Sequence, residues 1–255
     1  MDDVFIALRE QLEELRAIVD GLDEHALALP SACEGWSIAD VLLHLAQTNE
    51  MATASARGSL GEAAAAWVGR DAGAPVRTDV NDIADAAVAR DRGATGTEVR
   101  ARWIASASDM AHALEACDPS ARVQWVAGDM APRSLATTRI AETWIHTGDV
   151  CAGIGTEQPE SDRIWHIARL VHRTLPYAFL REGLAPPGGV RFALTSPTRA
   201  SVVWEFGPDD APTTIAGPAV DLCRVAGQRA SASGTALVGT GPDAENTLRV
   251  MRTFA

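Results

Sequence analysis

The hydrophobic pattern of this chain changes once, at a segment over residues 183–189 that is rich in proline and glycine. Before this segment, apolar residues recur at intervals of three and four, which is typical of amphipathic helices. After it, apolar and polar residues alternate, as at Val190, Phe192 and Leu194, which is typical of strands. The sequence therefore predicts two domains, a helical one over residues 1–183 and a small α+β one over residues 190–255.

The helical domain is predicted to be an antiparallel four-helix bundle, because its periodic segments are long and their connections are short to medium. Ser37 is the predicted N-cap of the second long helix, with Asp40 at the capping-box position. The segment over 56–78 is expected to form a helix fragment and a loop. The remaining long helices are expected to start near Phe5, Thr97, Ser134 and Asp162. In the second domain, strands are expected near 190–195, 202–206, 213–215 and 237–238, with helices from Ala219 and from about 243 to 254.

Composition limits the range of partners. With 47% hydrophobic and 22% charged residues the chain is typical of a soluble globular protein, and its net charge of −12 argues against nucleic acid or an anionic membrane surface as a partner. Met1–Val4 does not resemble a signal peptide, and no stretch approaches the ~18 apolar residues of a membrane-spanning helix. The four cysteines are scattered, and we interpret them as reduced, core-filling residues. A cytoplasmic location is expected.

Three ionisable residues are predicted to lie in one row on one helix. Glu142, His146 and Asp149 are spaced i, i+4 and i+7, so a helix places them on the same face. Trp144 and Ile145 add apolar surface, which argues against a freely solvated helix. Because buried ionisable groups are unfavourable unless they are paired or bind a metal, the row either faces solvent or forms a site.

A histidine on another helix would complete a metal-binding set. Two histidines and one glutamate are an established set of ligands for catalytic zinc, in which the fourth position stays open. Glu142 and His146 can meet one ion, and His44 lies in the apolar stripe of the second long helix. Alternatively, His44 is a core histidine whose ring bonds to a nearby acceptor. Zinc is the preferred ion, with nickel, cobalt or iron as alternatives for the same ligands.

Two segments resemble the signatures of a known family. Residues Cys33–Leu45 contain a Gly-Trp-Ser turn, a helix start with Asp and then His-Leu, and residues Glu142–Val150 contain Glu-x-x-x-His-x-x-Asp. Both resemble the mycothiol-dependent maleylpyruvate isomerase family of the DinB-like metal-binding bundle superfamily. Within it, the chain is most similar to an actinobacterial subgroup described as metal-binding. The resemblance implies an α+β fold overall, in which a DinB-like antiparallel four-helix bundle is followed by a small sterol-carrier-like α+β domain. It also implies that His44, Glu142 and His146 are the metal ligands.

The resemblance also implies a reaction class. It predicts a divalent-metal-dependent enzyme that uses mycothiol or a similar low-molecular-weight thiol as co-substrate, with a small electrophile as the other partner. A thiol is deprotonated when it coordinates a metal, and the thiolate can attack an activated double bond or displace a leaving group. Both an S-transferase and a cis–trans isomerase fit this chemistry. We expect a monomer or homodimer, and the sequence does not specify the substrate.

Three further residues are candidates for roles around the metal. Asp149 either orients a ligand histidine or ends its helix with a local bond. Trp36 either forms a wall of the pocket or packs the start of its helix. Arg229, by the resemblance, is a candidate to bind an anionic substrate or the thiol, and otherwise it is a solvated residue of a turn.

Two other functions fit the same residues. In one, a metal-bound hydroxide acts without any thiol, as in a hydrolase or lyase. In the other, the protein is a non-enzymatic carrier of small ligands with a structural metal. A structural site would require a fourth protein ligand, for which Asp149 is the candidate.

Overall fold

The computed structural model describes residues 3–61, 80–126 and 128–253. The chain divides into two compact units, Val4–Gln158 and Pro159–Ala255, with the residues before Val4 grouped with the second unit. No helix within the described residues combines the length and the apolar character that crossing a membrane requires. The part of the predicted 56–78 segment beyond residue 61 lies outside the described residues.

The first unit is helical, and four long helices form its core. Its elements are α1 (Val4–Val19), α2 (Glu24–Leu27), α3 (Ile38–Ala56), α4 (Val80–Asp91), α5 (Gly96–Glu115) and α6 (Pro132–Gly153). Helices α1, α3, α5 and α6 pack against one another. The large side chains that are fully buried between them include Leu8, Leu15, Leu42, Leu45, Met110 and Leu135. The apolar residues that recur every three or four positions in the sequence therefore form the surfaces along which these helices pack.

The starts of the helices agree with local chemistry. The Ser37 hydroxyl accepts from the Asp40 backbone N–H at 3.1 Å, and Asp40 Oδ2 accepts from the Ser37 backbone N–H at 2.9 Å, so the predicted capping box of α3 is present. The N-cap of α5 is Thr95 rather than the predicted Thr97, and its capping box is completed by Glu98. Helix α6 begins at Pro132 instead of Ser134, because proline is well suited to the first turn of a helix.

The second unit is a mixed sheet with helices. Its elements are α7 (Ile164–Arg181), β1 (Val190–Thr195), β2 (Val203–Phe206), β3 (Thr213–Pro218), α8 (Ala219–Ala226), a 3₁₀ turn (Ala232–Gly234), β4 (Val238–Thr240) and α9 (Ala244–Val250). The strand order is β2-β1-β3-β4, with β1 and β3 parallel and the two outer pairs antiparallel. Phe192 lies between Phe206 and Ile215 in this register, and all three are buried.

Helix α7 packs within the second unit. The Trp165 ring lies 5.5 Å from that of Phe206, and the His172 ring lies 5.1 Å from that of Phe192, measured between ring centroids. The boundary expected from the sequence follows this helix, at 183–190, whereas the compact units divide after Gln158. An amphipathic pattern shows that a helix has an apolar face but does not show whether other helices or a sheet cover it. The predicted α+β class, with a helical region before a small mixed sheet with helices, is confirmed.

Candidate metal centre

Helices α3 and α6 bring three ligand-type side chains together. His44 Nε2 lies 2.9 Å from Glu142 Oε1, and His146 Nε2 lies 3.6 Å from the same oxygen. The ligand atoms of these three residues all lie within 4.8 Å of one another. The two histidine side chains are each 8% exposed, while that of Glu142 is 23% exposed, so the group is open to solvent on the glutamate side. Two imidazoles and one carboxylate at this separation could hold a zinc ion with its fourth position open.

Burial and hydrogen bonds shift the pKa values of all three residues of the group. Burial alone would raise the pKa of Glu142, but hydrogen bonds with His146 and His44 hold it well below its ordinary value. Burial alone would lower the pKa of His146, but its hydrogen bonds with Asp149, Cys33 and Glu142 raise it well above its ordinary value. The pKa of His44 is lowered, chiefly by burial. Without a metal, these hydrogen bonds therefore favour an ionised Glu142 next to a protonated His146, and a divalent ion can take the place of that proton.

Asp149 contacts the other nitrogen of His146. Its Oδ2 lies 2.9 Å from His146 Nδ1, and its side chain is 2% exposed. A carboxylate in this position fixes the tautomer of the imidazole and directs Nε2 toward an ion. Asp149 belongs to a separate candidate group with Cys33 and His146, not to the group that contains His44 and Glu142. Of the two local arrangements that the sequence allows for Asp149, the bond to His146, a candidate metal ligand, is present.

Cys33 lies close to the candidate metal centre, a position that was not predicted from its place in the sequence. Its Sγ donates to Asp149 Oδ2 at 3.0 Å and lies 3.7 Å from His146 Nδ1. The interpretation of all four cysteines as core-filling is therefore wrong for Cys33. Cys117 is likewise only partly buried, whereas Cys151 and Cys223 are buried as expected. The position of Cys33 within the same segment as Trp36 and His44 is a signal that it lies near the centre, but the course of the loop decides this.

Trp36 lies against both histidines. Its ring centroid is 5.1 Å from that of His44 and 6.4 Å from that of His146, and its plane is nearly parallel to the His146 ring. The indole Nε1–H donates to Asp85 Oδ1 of α4 at 2.8 Å, which fixes the ring in this position. The ring thus borders the candidate metal centre, and its part in binding a substrate stays a prediction.

Arg229 lies in the second unit, whereas the ligand-type residues all lie in the first. It follows α8 in a turn where Gln228 has a positive φ of 58°, and its Nη1 donates to the Gly227 carbonyl at 3.1 Å. Its predicted part in binding a substrate or thiol stays a prediction.

The chain has relatives along almost its whole length. It is 30% identical over 252 residues to "Uncharacterized protein Rv0036c" of Mycobacterium tuberculosis (strain ATCC 25618 / H37Rv), covering 98% of this chain and 95% of that protein. "Uncharacterized protein MT0041" of Mycobacterium tuberculosis (strain CDC 1551 / Oshkosh) matches with the same identity and the same coverage.

Similar folds occur among solved structures. The crystal structure of the mycothiol-dependent maleylpyruvate isomerase matches with a TM-score of 0.60 and 15% sequence identity, covering 93% of this chain and 91% of that one. A histidine-to-alanine mutant of that enzyme matches with a TM-score of 0.59. At this identity the match shows a shared fold. The family model named "Mycothiol maleylpyruvate isomerase N-terminal domain" matches residues 8–151, which include every residue of the candidate metal centre. This chain therefore belongs to the mycothiol maleylpyruvate isomerase N-terminal domain family.

Proposed function

We propose that this chain is a divalent-metal-dependent enzyme that uses a low-molecular-weight thiol to modify a small electrophile. The observation that carries the proposal is the group of His44, Glu142 and His146, whose ligand atoms lie within 4.8 Å of one another. Asp149 does not supply a fourth ligand to this group, because it bonds to the far nitrogen of His146. Three protein ligands and an open position are typical of catalytic zinc sites, whereas structural sites are closed by four.

Each residue has a definite part in this proposal. His44, Glu142 and His146 hold the ion, for which zinc is preferred and nickel, cobalt or iron are alternatives. A zinc ion bound there would keep a thiol deprotonated near neutral pH, although the pKa of a free thiol is ~8.5. Asp149 accepts a hydrogen bond from His146 Nδ1–H, which leaves Nε2 free to coordinate the ion. Trp36 lies against both imidazole rings and limits access of water from that side.

Mycothiol is the thiol that we propose. The names of the matched family model and of the similar solved structure both include mycothiol, which supports this choice. Thiol transfer and thiol-assisted isomerisation both begin with attack of the thiol sulfur on the electrophile, at an activated double bond or, for transfer, also with displacement of a leaving group. They differ in whether the sulfur remains on the product or is expelled again. We propose one of these two reactions, with a small metabolite as the electrophile.

The thiol part of the proposal is tested with cobalt in place of zinc. Cobalt-loaded protein is titrated with mycothiol and, as a control, with S-methyl mycothiol, which has no free thiol. We expect a sulfur-to-cobalt charge-transfer band with mycothiol and no such band with S-methyl mycothiol. The band should be absent in His44→Ala protein and retained in His25→Ala protein, because His25 is an exposed histidine of α2.

A cobalt-loaded protein that shows no such band would contradict the use of a thiol. The same centre would then fit a metal-bound hydroxide, as in a hydrolase or lyase. Failure of the protein to hold cobalt or zinc at all would contradict the proposal as a whole.

A further inference from the structure

Arg139 is a buried cation with few partners. It lies on α6 one turn before Glu142, and only 3% of its surface is exposed. A guanidinium group has five N–H donors and normally uses several of them when it is buried. Within the described residues, Arg139 makes one hydrogen bond, from Nη2 to Thr48 Oγ1 at 2.8 Å, and its buried Nε has no hydrogen-bond partner. This state is unfavourable unless an acceptor is provided.

The neighbours of Arg139 extend the same polar region. Thr143, one turn further along α6, is fully buried, and its hydroxyl oxygen has no hydrogen-bond partner among the described residues. Thr48, which accepts from Arg139, lies one turn after His44 on α3, and its hydroxyl in turn donates to the His44 carbonyl at 3.0 Å. The unsatisfied donors therefore lie one helical turn away from the candidate metal ligands, on the same two helices.

Glu142 does not neutralise Arg139 directly. Its carboxylate oxygen is shared by His44 and His146 at 2.9 and 3.6 Å, and no ion pair of Arg139 within 4.0 Å is present in the described part of the chain. The positive charge still acts on the centre from a longer distance, because it lowers the pKa of both Glu142 and His44. A buried arginine without a paired carboxylate favours an anion as its partner.

We infer that Arg139 and Thr143 form an anchoring site for a carboxylate of the small molecule that binds at the metal centre. The planar guanidinium can donate two parallel hydrogen bonds to a carboxylate, and the Thr143 hydroxyl can supply another. The partly exposed side chain of Glu142 marks where a ligand can enter. This inference rests on the proposed function and adds that one of the two reactants, the electrophile or the thiol, is a carboxylate.

Matched pairs of neutral and anionic probes test the inference. Crotonate and crotonamide have the same shape and differ in charge, and N-acetylcysteine and its amide form the corresponding thiol pair. Dissociation constants are measured with zinc-loaded, full-length protein by ligand-observed NMR. For at least one pair, we expect the carboxylate to bind about tenfold or more tightly than its amide, which corresponds to about 1.4 kcal/mol. The pair that shows this preference identifies which reactant carries the carboxylate.

Two variants separate the anchoring site from the metal. In Arg139→Gln protein the preference should fall below about twofold, with zinc content and amide binding unchanged. Thr143→Val keeps the shape of the side chain and removes the hydroxyl, so it should weaken binding of the carboxylate by several-fold without affecting the amide. If Arg139→Gln protein does not fold, the Thr143→Val result decides.

Either of two results would overturn the inference. One is the absence of any preference for the carboxylates in wild-type protein. The other is a preference that persists unchanged in the variants, because the ion itself would then bind the carboxylate. Failure of the proposed function is recognised independently, since the cobalt–thiol band does not require Arg139.

Discussion

His146 is held at both nitrogens, and this defines the candidate centre at the level of single residues. Nε2 faces Glu142 at 3.6 Å, while Nδ1 lies 2.9 Å from Asp149. Because Asp149 is 2% exposed, its bond to the imidazole is protected from competing water. An imidazole fixed in this way presents Nε2 in one orientation. Less side-chain conformational entropy is therefore lost when a metal ion binds.

Replacing the carboxylate of Asp149 tests this arrangement. Asp149→Asn keeps the size of the side chain and removes the negative charge, so the bond to His146 Nδ1 weakens and the tautomer is less well fixed. We expect zinc affinity to fall by about 10- to 100-fold, measured by competition with a chromophoric chelator. The control is Asp109→Asn, which removes one negative charge at an exposed position and should bind zinc like the wild type. Equal affinity in both variants would exclude Asp149 as a support for the ligand.

The proton on His146 predicts how metal binding depends on pH. The pKa of His146 is raised well above its ordinary value and that of Glu142 is held well below its own, which favours a protonated His146 beside an ionised Glu142 in the metal-free protein near neutral pH. An ion binds the neutral imidazole, and binding therefore releases this proton. Affinity should increase as pH rises toward the raised pKa and level off above it.

Calorimetry measures this proton directly. Zinc binding at about pH 7 in two buffers with different enthalpies of ionisation should show release of about one proton. Wild-type protein that binds zinc without releasing a proton, and with no dependence of affinity on pH below 7, would contradict the assignment of His146.

That His44, Glu142 and His146 lie together was predictable from the sequence, whereas their surroundings were not. The spacing of Glu142 and His146 on one helix, together with a resemblance that included His44, was enough to predict the group that the structure assembles. Cys33 and Arg139 were missed for different reasons. Cys33 lies on a loop, and no periodic pattern describes where a loop places its side chains. Arg139 is a charged residue in a helix, and its burial depends on three-dimensional packing.

At the level of elements, the end of α6 fixes the loop that carries Cys33 and Trp36. A Cβ on Gly153 would lie 2.7 Å from the Pro30 carbonyl oxygen and 3.2 Å from the Ser31 Cα. These are backbone atoms, which cannot move away as the end of a flexible side chain can. The absence of a side chain at Gly153 therefore allows the helix and the loop to approach each other.

Replacing Gly153 by alanine should destabilise the protein, whereas a Gly→Ala change within a helix usually stabilises it. In most helices Gly→Ala is favourable by up to about 1 kcal/mol. Gly153→Ala should instead destabilise the protein by about 1–3 kcal/mol, measured by urea unfolding, because the loop has to move. Gly21→Ala is the control, since a Cβ there would have no atom within 4 Å. A Gly153→Ala protein as stable as the control would show that this contact does not position the loop.

The elements themselves were predictable to different degrees. Long periodic helices and the alternating strand β1 follow directly from the sequence, because one face of each is buried. Helix ends shifted by about two residues where a different residue caps the helix, as at Thr95. The placement of α7 in the second unit depends on which surface covers its apolar face, and its own sequence does not contain that information.

At the level of the whole molecule, the candidate metal centre lies within one of the two units. His44, Glu142, His146 and Arg139 all lie in Val4–Gln158, and the family model covers residues 8–151 of this unit. The net charge of −12 gives the chain no general affinity for anions, so an anionic ligand has to be bound by local cations. A divalent ion and Arg139 are the two cations that the proposed site provides.

The central claim is that His44, Glu142 and His146 bind a divalent ion, and metal content measures it most directly. Wild-type, His44→Ala and His25→Ala proteins are loaded with zinc, dialysed against a weak chelator and analysed by mass spectrometry of the metal. We predict about one tightly bound ion per chain in wild-type and His25→Ala proteins and a loss of nearly all of it in folded His44→Ala protein. Undiminished zinc in His44→Ala protein, or a wild-type protein that retains none, would contradict the account.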